Sequence, residues 1–243
     1  MAASPSSSRI PRSSKAVSIL TCTKRRECMV KLLANYSRQT HKKKELIILL
    51  NNDSLRMSEY VKAVQSYPNV RVYRIPGHIP LGSCLNYGVK LAKYGLIAKF
   101  DDDDYYARSY LRESLRSMRK SRADIVGKRA HHMYLKGKKT LLLRYPKLAD
   151  QYVPMVQGAT LLIKRSVFGK VSFPDIKSGE CVKFCSDSRS KGFAIYSGSK
   201  YNFLAIRRRN SENHTWIVSD KALLTRNVKV LKVKDVYKYI RRD

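Results

Sequence analysis

Apolar and polar positions alternate along the first hundred residues in a pattern that predicts a sheet flanked by helices. Three apolar runs and one stretch of alternating polarity predict four strands, at 16–21, 45–50, 70–75 and 95–100. Helical spacing of apolar side chains predicts the intervening helices, at 29–36, 56–66 and 81–93. Strands that alternate with helices favour right-handed crossovers, so we expect an α/β fold with a mixed, mostly parallel central sheet.

The second half of the chain is less regular. Short apolar stretches predict strands at 123–127, 158–163, 193–196 and 203–206, and helical spacing predicts helices at 110–121 and 178–191. We expect a disordered basic tail at 1–15, one domain at 16–226 and a basic C-terminal extension at 227–243. Within the domain, 16–105 is predicted to be a nucleotide-binding half and 106–226 an acceptor-binding half.

The charge and the cysteine content of the chain indicate which ligands and which cellular location to expect. Lys and Arg number 50 against 18 Asp and Glu, a net charge of +32, which favours affinity for polyanions without requiring a nucleic-acid function. The five cysteines, an odd number, favour reduced thiols and a cytoplasmic location, with the membrane periphery or a spore surface as alternatives. We expect no transmembrane segment, since no apolar run approaches about 20 residues.

Four consecutive carboxylates, Asp101 to Asp104, follow the apolar run 95–100. Ligands of α/β sheets bind at the carboxyl ends of strands, and clustered carboxylates favour a hard divalent cation. Polar residues also end the first two strands, among them Thr21, Asn52 and Asp53, and they could contact a base and ribose. A solvated acidic loop and ordinary turn chemistry are the alternatives. No glycine-rich dinucleotide or P-loop motif is present.

These segments, taken in order, resemble family 2 glycosyltransferases of the GT-A fold. The resemblance covers about 16–216 and includes 18–23, 45–48, 51–53, 81–88, 99–104 and 158–160. Within that family the chain is most similar to small enzymes associated with bacterial spore maturation. The acidic run corresponds to the Asp-x-Asp metal-binding element of the family.

The resemblance implies an inverting transfer of a sugar from a nucleoside diphosphate sugar, with UDP the expected nucleotide, to an acceptor glycan or polymer. The charge of the chain favours an anionic acceptor. The matching positions assign Thr21, Asn52, Asp53, Asp101 and Asp102 to the nucleotide. They assign the ligands of a Mn²⁺ or Mg²⁺ ion to the following three residues: Asp101, Asp103 and His214.

The expected catalytic base is where this chain departs from the family. The family has Gly-Glu-Asp at the start of a helix, with Asp as the base, and this chain has Gly179-Glu180-Cys181. A thiol, with a reference pKa of about 8.5, replaces a carboxylate poorly. We therefore assign the base to Glu180, whose alternative role is that of a first-turn acid favoured by the helix dipole.

Two other functions stay open from the sequence. A nucleotidyltransferase also combines acids and a metal on an α/β sheet, although its glycine-rich basic phosphate loop is missing here. A catalytically impaired relative that binds an acidic glycan or another polyanion is favoured by Cys181 and by the net charge.

Overall fold

The computed structural model describes residues 16–176, 178–208, 218–219, 221–224 and 227–242. Helices and strands alternate in the first half, and short strands dominate the second. The helices are α1 Met29–Ser37, α2 Met57–Val64, α3 Leu81–Leu91, α4 Tyr110–Ser121, α5 Glu180–Ser190 and α6 Val236–Ile240. The strands are β1 Val17–Thr23, β2 Lys44–Leu50, β3 Val70–Arg74, β4 Leu96–Lys99, β5 Tyr105–Tyr106, β6 Ile125–Gly127, β7 His131–Leu135, β8 Thr140–Arg144, β9 Gln151–Tyr152, β10 Leu162–Lys164, β11 Ile195–Ser197, β12 Phe203–Arg207 and β13 Val228–Leu231.

The main sheet has eight strands in the order β3-β2-β1-β4-β10-β6-β11-β9. Strands β3, β2, β1 and β4 are parallel, while β10 and β9 run antiparallel to their neighbours. Side chains along β2 alternate between the two faces, so Leu46 and Ile48 enter one apolar core and Ile47 and Leu49 enter the other. Burial on both faces explains why these strands are continuous apolar runs.

A second sheet of five strands has the order β13-β8-β7-β12-β5. The stretch 227–242, which the sequence sets apart as an extension, contributes β13 to this sheet and α6 beside it. Ile240 of α6 is fully buried against Leu204 and Ile206 of β12. The described part of this stretch therefore packs on the second sheet.

Two expectations about local structure need correction. The predicted strand at 158–163 begins only at Leu162, because Gly158–Thr160 form a 3₁₀ turn. The predicted strand at 123–127 shortens to Ile125–Gly127. Both strands have three residues and lie inside the sheet. An apolar run this short does not show where its strand begins and ends.

Helix α3 is joined closely to the segment that leads to α5. Asn86 donates from Nδ2 to the carbonyl of Phe173 at 2.8 Å and accepts from the Phe173 N–H at 3.0 Å. Gly82 permits this approach, since a Cβ atom there would overlap the carbonyl oxygen of Pro174. Backbone cannot give way as a flexible side chain can, so only glycine fits this position.

We expect Gly82→Ala to lower the free energy of unfolding by about 1–3 kcal/mol, because the added methyl group must displace backbone. Gly95→Ala is the matched control, since a Cβ atom there meets nothing within 4 Å. Urea unfolding followed by circular dichroism measures both. Equal midpoints for the two variants would show that α3 does not approach the 173–175 segment as closely as described.

Candidate functional site

The acidic run lies where the two sheets meet. The Phe100 N–H donates to the carbonyl of Leu20 at 2.9 Å, which holds the start of the run against β1. Its end is fixed by β12, because the Ile206 N–H donates to Asp104 Oδ1 at 2.9 Å. Helix α1 holds the backbone between them, with Lys31 and Asn35 donating to the carbonyls of Asp103 and Asp104 at 2.7 and 2.9 Å. The position of the four acids is thus set by both sheets.

Asp102 points toward the protein. Its carboxylate accepts from Thr23 Oγ1 at 2.5 Å and forms an ion pair with Arg25. Burial raises the pKa of Asp102, while the Arg25 charge opposes this rise. Burial also opposes ionisation of Arg25, yet the charges of Asp103 and Asp102 raise the pKa of its guanidinium. The carboxylate of Asp102 thus already contacts Thr23 and Arg25. Its predicted contact with a nucleotide stays a prediction.

The other three acids form a candidate cation site. One carboxylate oxygen from each of Asp101, Asp103 and Asp104 lies within 4.8 Å of the others. Burial, followed by the charges of Asp103 and Asp101, raises the pKa of Asp104 well above its ordinary value. A divalent cation would relieve that repulsion, and a set of carboxylate oxygens suits Mg²⁺ or Mn²⁺. The residues therefore fit such an ion.

Protein cations already contact two of these acids. Arg25 Nη1 lies 2.9 Å from Asp103 Oδ2, and Lys99 forms an ion pair with Asp101. Lys99 is only 6% exposed. Burial opposes its charge, but the charge of Asp101 first, and that of Glu180 after it, raise the pKa of its ammonium group. Lys99 thus stays charged and connects the acidic run electrostatically to the start of α5.

The start of α5 brings the candidate base to this cluster. Gly179 adopts a left-handed conformation with φ of 82°, and Glu180 begins the helix with 8% of its surface exposed. Cys181 donates from Sγ to Glu180 Oε1 at 3.2 Å. Burial raises the pKa of Cys181 well above its ordinary value, so the thiol stays uncharged. Gly158 makes room for it, because a Cβ atom there would lie 2.8 Å from Cys181 Sγ.

The predicted nucleoside contacts serve local structure in the uncomplexed protein. Thr21 lies inside β1 and is 1% exposed. Asn52 Oδ1 accepts from the Ser54 N–H at 3.0 Å, as in an Asx turn, and Asp53 accepts from the Gly77 N–H at 3.2 Å. Their assignment to the nucleotide stays a prediction. His214, predicted as a metal ligand, lies outside the described residues.

Two further residues at the same strand ends, to which the sequence assigned no role, also belong to this region. Thr23, two positions after Thr21, contacts Asp102 and so reaches the acidic run. Asn51 is fully buried and donates to the Pro76 carbonyl at 2.7 Å, while its Oδ1 has no hydrogen-bond partner among the described residues. Their positions in the sequence could have indicated both residues, since Thr23 ends the parallel strand β1 and Asn51 directly follows the parallel strand β2.

The family model described as "Glycosyl transferase family 2" matches residues 18–173. The chain belongs to glycosyltransferase family 2. A search of curated proteins finds no match. Among the described residues of this family 2 glycosyltransferase, no helix combines the length and apolar character that crossing a bilayer requires.

Solved structures confirm the expected α/β GT-A fold. S. aureus TarS 1–349 in complex with UDP-GlcNAc is similar with a TM-score of 0.66 at 15% identity, over 82% of this chain and 60% of that one. The mannosyltransferase PcManGT from Pyrobaculum calidifontis, in complex with GDP-Man and Mn²⁺, has a TM-score of 0.65 at 12% identity, over 82% and 58%. The chain thus spans about three fifths of these structures. The predicted closeness to spore-maturation enzymes stays a prediction.

The adjacent pair His131 and His132 lies on β7, in the second sheet. Both rings are buried, and each Nδ1–H donates to a carbonyl at 3.0 Å, of Arg129 and Lys200 respectively. Neither Nε2 has a partner among the described residues. Burial lowers the pKa of His131 to about 3 and that of His132 to about 4. Both rings are therefore neutral structural groups.

This burial predicts a loss of stability in acid. The unfolded chain, with a histidine pKa of about 6.5, takes up protons before the folded chain does, so the contribution is complete above about pH 6.5 and is lost as the pH falls toward 4. Between pH 6.5 and 5, His132 alone should lower the free energy of unfolding by about 1.5 kcal/mol.

Urea unfolding of the wild type and of His132→Gln across this range measures the effect. The variant should be less stable near neutral pH, and its deficit should shrink as the pH falls. His78→Gln is the matched control, because His78 is exposed. A deficit for His132→Gln that is constant with pH would contradict the linkage.

Proposed function

We propose that this protein transfers a sugar from a nucleoside diphosphate sugar to an acceptor hydroxyl, with inversion at the anomeric carbon. The observation that carries the proposal is the convergence of Asp101, Asp103 and Asp104 within 4.8 Å, at the end of a parallel strand in a family 2 glycosyltransferase. Two structures of the same fold support the donor class, since their complexes contain UDP-GlcNAc and GDP-Man. The proposed nucleotide is UDP.

Asp101 and Asp103 would hold a divalent metal, and His214 is a further proposed ligand. When bound, Mn²⁺ or Mg²⁺ supplies positive charge against the leaving diphosphate. Two cations of the protein orient the carboxylates of this site. Lys99 pairs with Asp101, and Arg25 pairs with both Asp102 and Asp103. The carboxylate oxygens are thereby held in place before any ligand arrives.

Glu180 is the proposed base. As the acceptor oxygen attacks the anomeric carbon, the bond from that carbon to the diphosphate oxygen breaks, and Glu180 takes the hydroxyl proton. Cys181 cannot do this, because its thiol is buried, uncharged and donates its own hydrogen to Glu180. The carboxylate at the start of α5 is thus Glu180, whose charge contributes to the raised pKa of Lys99.

UDP with Mn²⁺ should raise the melting temperature of the wild type by several degrees, since a ligand at a hundred times its Kd adds about 2.7 kcal/mol. Asp103→Asn should abolish the rise, because it removes a metal ligand while preserving shape. Asp187→Asn is the matched control, as Asp187 pairs with Lys183 on an exposed part of α5. Differential scanning fluorimetry with UDP alone, Mn²⁺ alone and both together makes the test. No rise with any nucleoside diphosphate would favour a polyanion-binding relative over an enzyme.

Glu180→Gln should reduce sugar transfer by about a hundredfold or more, with donor binding retained, if Glu180 accepts the proton. The measurement is release of the nucleoside diphosphate across a panel of nucleotide sugars and acceptors. Cys181→Ser separates the two neighbours, because it keeps a small donor beside Glu180 and should retain most activity. Unchanged turnover of Glu180→Gln would exclude this residue as the base.

A further inference from the structure

A cavity of about 360 Å³ lies away from the acidic run, beside the start of α4. Four arginines line it: Arg108, Arg112 and Arg116 from the α4 region, and Arg242 from the C-terminal segment. The segment 199–202 closes the remaining side. We call this cavity the arginine pocket.

These four arginines have no acidic partner among the described residues, and all four are exposed. Glu113 also lines the pocket, but its carboxylate is used by other groups. Lys128 Nζ lies 2.6 Å from Glu113 Oε1, Ser199 Oγ donates to the same oxygen at 2.9 Å, and Asn202 Nδ2 donates to Oε2 at 2.7 Å. The pocket therefore presents positive charge that the described protein does not neutralise.

The placement of these arginines costs helix stability. Arg112 and Arg116 lie four residues apart in α4, and like charges at that spacing on one helix face repel, while Arg108 lies in the turn just before the helix. Arg112 also lies in the first turn of α4, where the helix dipole disfavours positive charge. Repulsion of this kind is relieved by a bound anion.

The chemistry of the pocket favours phosphate over a nucleic-acid base. The planar fork of an arginine matches the oxygens of a phosphate group in bidentate fashion. Nucleic-acid sites add aromatic faces on which bases stack. The aromatic ring here, Tyr201, is covered by the Arg242 guanidinium at 4.4 Å and faces Lys200 Nζ at 5.5 Å. No open aromatic face lines the described pocket.

The pocket is also connected to the proposed donor site by one strand. Asn202, in its wall, directly precedes β12, and Ile206 of β12 donates to Asp104. Four residues of strand span roughly 13 Å.

We propose that the arginine pocket holds a phosphate group of an acceptor glycan while another part of that acceptor lies at the donor site. The identification of the ligand as acceptor rests on the proposed glycosyl transfer. The phosphate-binding role rests on the pocket alone, and the test below measures it without a donor.

The probe is inorganic polyphosphate, titrated calorimetrically into the full-length chain at about 0.15 M salt, where long-range attraction is screened beyond about 8 Å. The double variant Arg112→Gln/Arg116→Gln should bind at least about tenfold more weakly, because it removes two charge-assisted contacts to phosphate. The double variant Arg119→Gln/Lys120→Gln is the matched control. It removes two exposed charges from the same helix outside the pocket, and its affinity should change less than about threefold.

An equal loss of polyphosphate affinity in both double variants would overturn the proposal, because it would show that polyphosphate is attracted to the basic surface as a whole. The proposal would also be overturned if a single-stranded DNA oligomer of equal charge bound the wild type as tightly as polyphosphate does, and if the Arg112→Gln/Arg116→Gln variant lost that binding. The UDP and Mn²⁺ melting shift should be the same in both double variants. A wild type that binds polyphosphate in the pocket but no nucleotide would contradict the proposed transfer and leave the phosphate site established.

Discussion

The arrangement of this site depends on two largely buried cations, which pair with three of its four adjacent carboxylates. Lys99 pairs with Asp101 from the last position of β4, and Arg25 pairs with Asp102 and Asp103 from the turn after β1. Burial, and then the charges of Asp103 and Asp101, raise the pKa of Asp104, and without the two cations such repulsion would act along the whole run. A basic protein has cations in abundance: these two pair with carboxylates of the run, and Lys31 donates to its backbone. The four acids can therefore be ordered before any metal binds.

The same acids join the two sheets. Asp104 accepts from the backbone of β12 in the second sheet, while the residue before the run, Phe100, donates to β1 in the first. The side chains of α1 hold the backbone between them. A change in the relative position of the sheets would thus alter the distances among the carboxylates. This coupling explains why irregular structure in the second half is compatible with a defined site in the first.

The sequence predicted the first half well for a physical reason. Parallel strands buried on both faces are continuous apolar runs, and β1, β2 and β4 match theirs closely. Strands of two or three residues, such as β5, β9 and β10, are too short to show a period. The contacts that shape the site were equally invisible, because Arg25 meets Asp102 across 77 positions and sequence spacing does not encode such a meeting. Thr23 received no role from the sequence, because its partner Asp102 lies 79 positions away along the chain.

The Gly-Glu-Cys departure is consistent with the charge balance of the cluster. An aspartate at position 181 would bury a further negative charge beside Asp101 and Glu180, and Lys99 would have to neutralise all three. The cysteine removes that charge, and its thiol instead donates to Glu180. Gly158 leaves just enough room for the sulfur, so the local packing is adapted to the residue present. With one carboxylate fewer in the cluster, Lys99 pairs mainly with Asp101.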